Sequence, residues 1–157
     1  MKILVFFMSK INIRSGFLKE KTYKKVEYYL YNYKNIDKII ANISEDIIDK
    51  VNVGARNWLN GKYADSNTVE NQAIKLAMNE EINDLKKAKE FIKQSIEILK
   101  VKNPKRYRFI KMKYFDKSTY LDIQRVLNYD EKQQNDITDR VVLFFYKKFK
   151  KSNMGGM

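Results

Sequence analysis

Apolar residues recur at Val26, Leu30, Tyr33, Ile36, Ile40, Ile43, Ile47 and Val51. Those steps of three and four lay one stripe along a helix, and the pattern predicts that helix from about Phe17 to Val51. At 1.5 Å per residue the rod is on the order of 50 Å long, too long for a compact globule and suited to a coiled coil. A second stripe runs through Val69, Ala73 and Leu76, then Met78, Ile82, Leu85, Ala88, Ile92, Ile96 and Leu99. Ser66 or Asn67 can cap its start, and Glu70 stands three after Asn67 as in a capping box. Between the stripes, 52–66 holds Asn57, Asn60, Gly61 and Asp65, which is turn chemistry. Two rods with a short connector fold back as an antiparallel helical hairpin. Trp58 then packs over the hairpin's end or contacts a partner. A flexible segment, 1–16, precedes the rods, and Met8 is an alternative start.

Past Leu99 the texture changes. Lys102 and Asn103 lead into the one proline, Pro104, and the residue before a proline is driven out of helical conformation. A sub-domain boundary is expected there. Three shorter helices follow. Pro104–Tyr114 turns Tyr107, Ile110 and Tyr114 or Phe115 inward. Tyr120–Leu127 turns Ile123, Val126 and Leu127 inward. The last, from about Glu131 to Lys148, buries Ile137, Val141, Phe144 and Phe145. Ser118 or Thr119 can cap the middle helix and Asp130 the last. A short helix, a tight turn and a longer helix make the helix-turn-helix pattern, which any small three-helix bundle can also show. The expected fold is all-α: a coiled-coil-like hairpin over 17–101, a helix-turn-helix unit over 102–151, and a disordered tail, 152–157.

Charge narrows the partners. The chain has 157 residues and a formal net charge of +13. Between Lys100 and Lys151 there are 15 Lys/Arg and 6 Asp/Glu, so most of the excess sits on the third with the DNA-binding pattern. Such a footprint suits phosphate contact, and double-stranded DNA is the first partner to consider. Cys and His are both missing from the sequence. Thiolate and imidazole metal sites, disulfides and Ser-His or Cys-His nucleophiles are therefore excluded. No cofactor motif is present, and no constellation supports an enzyme. The early apolar run, Ile3 to Met8, is far below the roughly 20 residues of a membrane span, and a cytoplasmic protein is expected.

The stretch from Arg106 through Tyr107, Arg108, Ile110, Tyr114 and Phe115, then Ser118 to Leu127 with Ile123, Gln124 and Val126, resembles sigma-factor region-four-like domains. Upstream, Tyr31 to Ile36 and Asn67 to Asn71 are similar to segments of ArpU-type phage late transcription regulators. The resemblance spans about Tyr23 to Lys148. It implies a phage or prophage late-gene regulator at promoter DNA, with RNA polymerase as a further partner. One departure is Gln124, where the family carries a small residue, often Ala, at the crossing of two helices. The first turn of the last helix departs too, reading Glu131-Lys132-Gln133-Gln134-Asn135 in place of Ser/Thr and Arg.

Position assigns the candidate roles. Lys132, Gln133, Asn135 and Arg140 can reach base edges, Asn and Gln suiting adenine and Arg guanine. Lys117, Ser118, Thr119 and Arg125 can hold phosphates, and Arg106, Arg108, Lys111 and Lys113 can do so from the preceding helix. With Ile137, Val141 and Phe144 inward, Lys132, Asn135, Asp136, Asp139 and Leu143 face outward. Two aspartates on that face repel phosphate. Leu143 and Tyr146 lie off the core side and suit a homodimer. Two other readings stay open: a DNA-packaging recognition subunit of a phage, and a coiled-coil adaptor that binds no DNA.

Overall fold

The computed structural model describes residues 18–59 and 65–152, the side chains of 50–59 and 65–68 excepted. Among these residues every regular element is helical. Helix α1 spans Glu20–Tyr31, and a 3-10 turn, Tyr33–Asn35, leads into α2, Ile36–Leu59. The longest helix, α3, is Asp65–Lys102. Helix α4, Pro104–Ile110, runs on as a π-turn over Lys111–Phe115. Helices α5, Tyr120–Leu127, and α6, Glu131–Lys151, complete the chain. The all-α expectation holds. No described helix is long and apolar enough to cross a membrane. Segment 1–16, the Met8 start, the tail beyond Ser152, Asn60, Gly61 and the Trp58 side chain lie outside the described residues.

The rod expected over 17–51 is broken at Asn32. Its backbone N–H and its side-chain amide both donate to the Tyr28 carbonyl, at 3.1 and 2.8 Å. A short polar side chain that bonds nearby backbone offers the chain a way out of the helix. Beyond the break, α2 continues through Asn52–Leu59, which the turn-like residues had assigned to a connector. A poor helix former such as Gly54 costs only about 1 kcal/mol in a helix interior, so the flanking turns carry through it. Helix α3 likewise starts at Asp65, ahead of the expected Ser66 or Asn67 cap.

The chain divides into two compact units, Asn35–Lys87 on the one hand and the residues up to Lys34 with those from Ala88 onward on the other. In the first, Ile36 is buried and Ile39, Ile40, Ile43 and Ile47 are half-buried on α2. On α3 the covered row is Asn71, Ile74, Lys75, Met78, Ile82 and Leu85, while Val69, Ala73 and Leu76 are exposed. The expected stripe contained a two-residue step, Leu76 to Met78, which one helix face cannot hold. Steps of three and four taken back from Leu85 reach Ile74 and Asn71 instead.

The second unit is built from both ends of the chain. Helix α1 buries Tyr23, Val26, Tyr29 and Leu30, and the end of α3 buries Ala88, Ile92, Ile96 and Leu99. Against them lie Phe109, Ile110 and Tyr114, Ile123 of α5, and Val141, Val142, Phe145 and Phe149 of α6. The Phe149 ring meets Tyr29 at 5.6 Å and Phe91 at 6.3 Å, so one side chain touches α1, α3 and α6. Tyr31 meets Tyr114 at 4.7 Å. The break at Pro104 is therefore a turn inside one core. Asn103 accepts from the Arg106 N–H at 3.1 Å and caps α4 at once, with proline in the first turn, where its missing N–H costs nothing.

Candidate nucleic-acid interface

Two capping boxes frame α5 and α6. Thr119 accepts from the Asp122 N–H at 3.2 Å while Asp122 accepts from the Thr119 N–H, and Asp130 and Gln133 repeat the exchange at 2.8 and 2.9 Å. Between the helices, Asn128 closes α5 in the left-handed region, φ 56°, which asparagine tolerates. The buried Gln134 amide donates to the Tyr120 and Tyr129 carbonyls at 3.1 and 3.0 Å, tying α6 to the start of α5 and to the turn. Thr119→Ala and Asp130→Ala should each lower stability by about 1 kcal/mol, read from urea unfolding midpoints.

Helix α6 is turned relative to the expected orientation. Its buried row is Gln134, Thr138, Val141, Val142, Phe145 and Phe149, whereas Ile137 and Phe144 are only half-buried. The row opens with two polar residues, so hydrophobicity alone placed the axis about one residue off. Asp139 moves with it: it lies against α1 and accepts from the Tyr23 hydroxyl at 2.9 Å. Asp136 is half-buried. The solvent side carries Lys132, Arg140 and Lys147, all exposed, at helical spacing. On α5, Val126 is 55% exposed where burial was expected; Ile123 and the half-buried Leu127 face the core.

The other candidates sort by surroundings. Gln133 is exposed, but its carbonyl oxygen is held by the cap, which leaves its amide as a donor and removes the two-point contact to adenine. Asn135 is half-buried. Lys117, in the left-handed region at φ 52°, and Arg125 and Arg108 are exposed, while Ser118 and Arg106 are half-buried. The Thr119 hydroxyl serves the cap. Lys111 is paired with Asp116 at 2.8 Å, and this hydrogen bond holds the Asp116 carboxyl below its usual range. Leu143 and Tyr146 are half-buried, with Lys150 over the Tyr146 ring at 5.9 Å. Leu143 shares a row with Arg140 and Lys147, so it cannot serve a dimer while that row faces DNA.

Lys113 does not lie with the surface cations. The π-turn, in which the Asp116 N–H reaches back to Lys111 and the Ser118 N–H to Met112, sends Lys113 and Tyr114 inward together. There they join a polar cluster that the sequence reading did not contain. The Tyr114 hydroxyl donates to Glu27 Oε1 at 2.9 Å, and Lys113 Nζ donates to Thr138 Oγ1 at 2.7 Å. The Thr138 hydroxyl in turn donates to the Gln134 carbonyl at 2.8 Å. Burial raises the Glu27 carboxyl above its usual range, against the attraction of Lys113 and the Tyr114 bond. Burial lowers the Lys113 ammonium, against Glu27 and Asp139. The Tyr31 hydroxyl is pushed up to about 12, by burial and then by the Glu27 charge. A sequence signal did exist: Tyr23, three residues before Val26, extends the inward row of α1 with a polar-tipped side chain. The chain matches no protein-family model, no curated protein and no solved structure.

Proposed function

We propose that the chain is a DNA-binding transcription regulator of phage or prophage type, gripping promoter DNA with α5 and α6 as a helix-turn-helix. What supports this most is the solvent side of α6, where Lys132, Arg140 and Lys147 are exposed while Asp139 is engaged with Tyr23. In this reading Lys132 and Arg140 reach base edges and Gln133 donates a single bond. Lys117, Arg125 and Arg108 hold phosphates, with Arg106, Ser118 and Lys111 as flanking contacts. Self-association falls to the Asn35–Lys87 unit, where Ile48, Val69 and Leu76 are exposed, and the helical hairpin of α2 with the first part of α3 belongs to this proposal. RNA polymerase contact belongs to the same proposal.

The test is binding of the full chain to duplex DNA by fluorescence anisotropy over a salt series, with sites supplied by genome-wide recovery of bound fragments. Affinity should fall steeply with salt. Alanine at Lys132, Arg140 and Lys147 together should weaken binding to specific sites by roughly a hundredfold at moderate salt and relax the sequence preference, while flattening the log–log slope by only about 1. Salt-independent binding, or recovery without discrete upstream sites, overturns the regulator reading.

A further inference from the structure

Buried ionisable groups give up hydration, and apolar residues of similar volume pack at least as stably. A polar cluster between helices adds something else: its hydrogen bonds close in one arrangement and fail in neighbouring ones. Here three bonds run between three elements. Tyr23 to Asp139 joins α1 to α6, Tyr114 to Glu27 joins the π-turn to α1, and Lys113 to Thr138 joins the π-turn to α6. Sliding or rolling α6 breaks the two bonds it makes, whereas an aromatic contact such as Tyr29 on Phe149 tolerates small shifts. The two α6 residues held, Thr138 and Asp139, immediately precede the exposed Arg140.

We propose that Tyr23, Glu27 and Lys113 are positioning residues for α6: they fix its rotation at Thr138 and Asp139 and so aim Arg140, which makes α1 part of the DNA-contacting apparatus. The inference rests on the reading of α6 as the DNA-facing helix. Asp139, which looked like a repulsive group on a reading face, becomes the anchor of that face.

Amide hydrogen exchange on the full chain without DNA tests the positioning directly, in wild type, Tyr23→Phe, Lys113→Met and Lys113→Met/Glu27→Gln. Exchange within Gln134–Val142 and in α1 should rise about tenfold in the first two variants while α5 and the end of α3 stay as in wild type. The affinity for a specific DNA site should drop roughly tenfold with the salt slope unchanged, since the phosphate contacts are intact. A uniform rise across all helices of the unit, or no rise, overturns the proposal. Should Lys113→Met fail to fold, Tyr23→Phe, which removes one hydroxyl and keeps the ring, decides alone. Should wild type bind no DNA, the exchange result still judges the cluster, and only the function proposed above falls.

Discussion

A peptide of residues 102–151 alone is expected to be unfolded in water, with a coil-like far-UV circular dichroism spectrum and no cooperative thermal transition, while the full chain unfolds cooperatively. The peptide lacks Tyr23, Val26, Tyr29 and Leu30 of α1 and Ala88, Ile92, Ile96 and Leu99 of α3, all buried in the complete unit. Phe149 loses both Tyr29 and Phe91, and Tyr114 loses the carboxylate its hydroxyl bonds. Each large apolar side chain returned to water forfeits about 1.5–3 kcal/mol, and several together exceed the roughly 5–15 kcal/mol that holds a domain folded. A peptide that melted cooperatively and bound DNA as tightly as the full chain would restore the boundary at Pro104.

The second large effect is expected at Lys113. Lys113→Met removes the cation near the half-buried Glu27 and the donor to Thr138, and should destabilise the protein by roughly 2 kcal/mol in urea titrations. Adding Glu27→Gln should return most of that loss, because a neutral amide needs no counter-charge. Equal and additive losses in the two single variants would show that the groups do not interact. The pH dependence has a definite sign. The Glu27 carboxyl is raised in the fold, so its contribution is fully present below the unfolded value near 4.5 and is lost as pH rises through the folded value. The Lys113 ammonium is lowered, so its contribution is present above about 10.5 and is lost as pH falls through the folded value. Relative to wild type, Glu27→Gln should therefore gain less stability on acidification toward pH 4.5. A parallel pair of stability curves would remove Glu27 from the account.

Local chemistry was legible in the sequence and long-range assembly was not. Tyr120–Leu127 and the caps at Thr119 and Asp130 form as expected, because a cap and a helical period are written within four residues. The break at Asn32 was legible too, in two asparagines three apart, but the continuous apolar row across it spoke louder. The rotation of α6 was hidden because its inward row begins with Gln134 and Thr138, whose burial depends on partners 14 to 25 residues away at Tyr120 and Lys113. A half-buried lysine is invisible to hydrophobic patterning for the same reason. The π-turn that carries it inward leaves no compositional mark. Pro104 was read correctly as a helix stop and wrongly as the edge of a domain, since nothing local says that Tyr29 and Phe91 complete the core under Phe149.

Tyr23 and Asp139 are 116 residues apart in the chain. At ribosomal speeds of about 5–20 residues per second, the partner of α1 is made roughly 6–23 s after α1 itself. Through that interval the apolar side of α1 has no finished surface of its own chain to rest on. A completed neighbour on the same messenger offers one, with identical groups at Asp139 and Phe149. An exchange of first helices between successive copies is thus open to this protein during translation, and the spacing of ribosomes along the message, rather than any change of sequence, would set how often it happens.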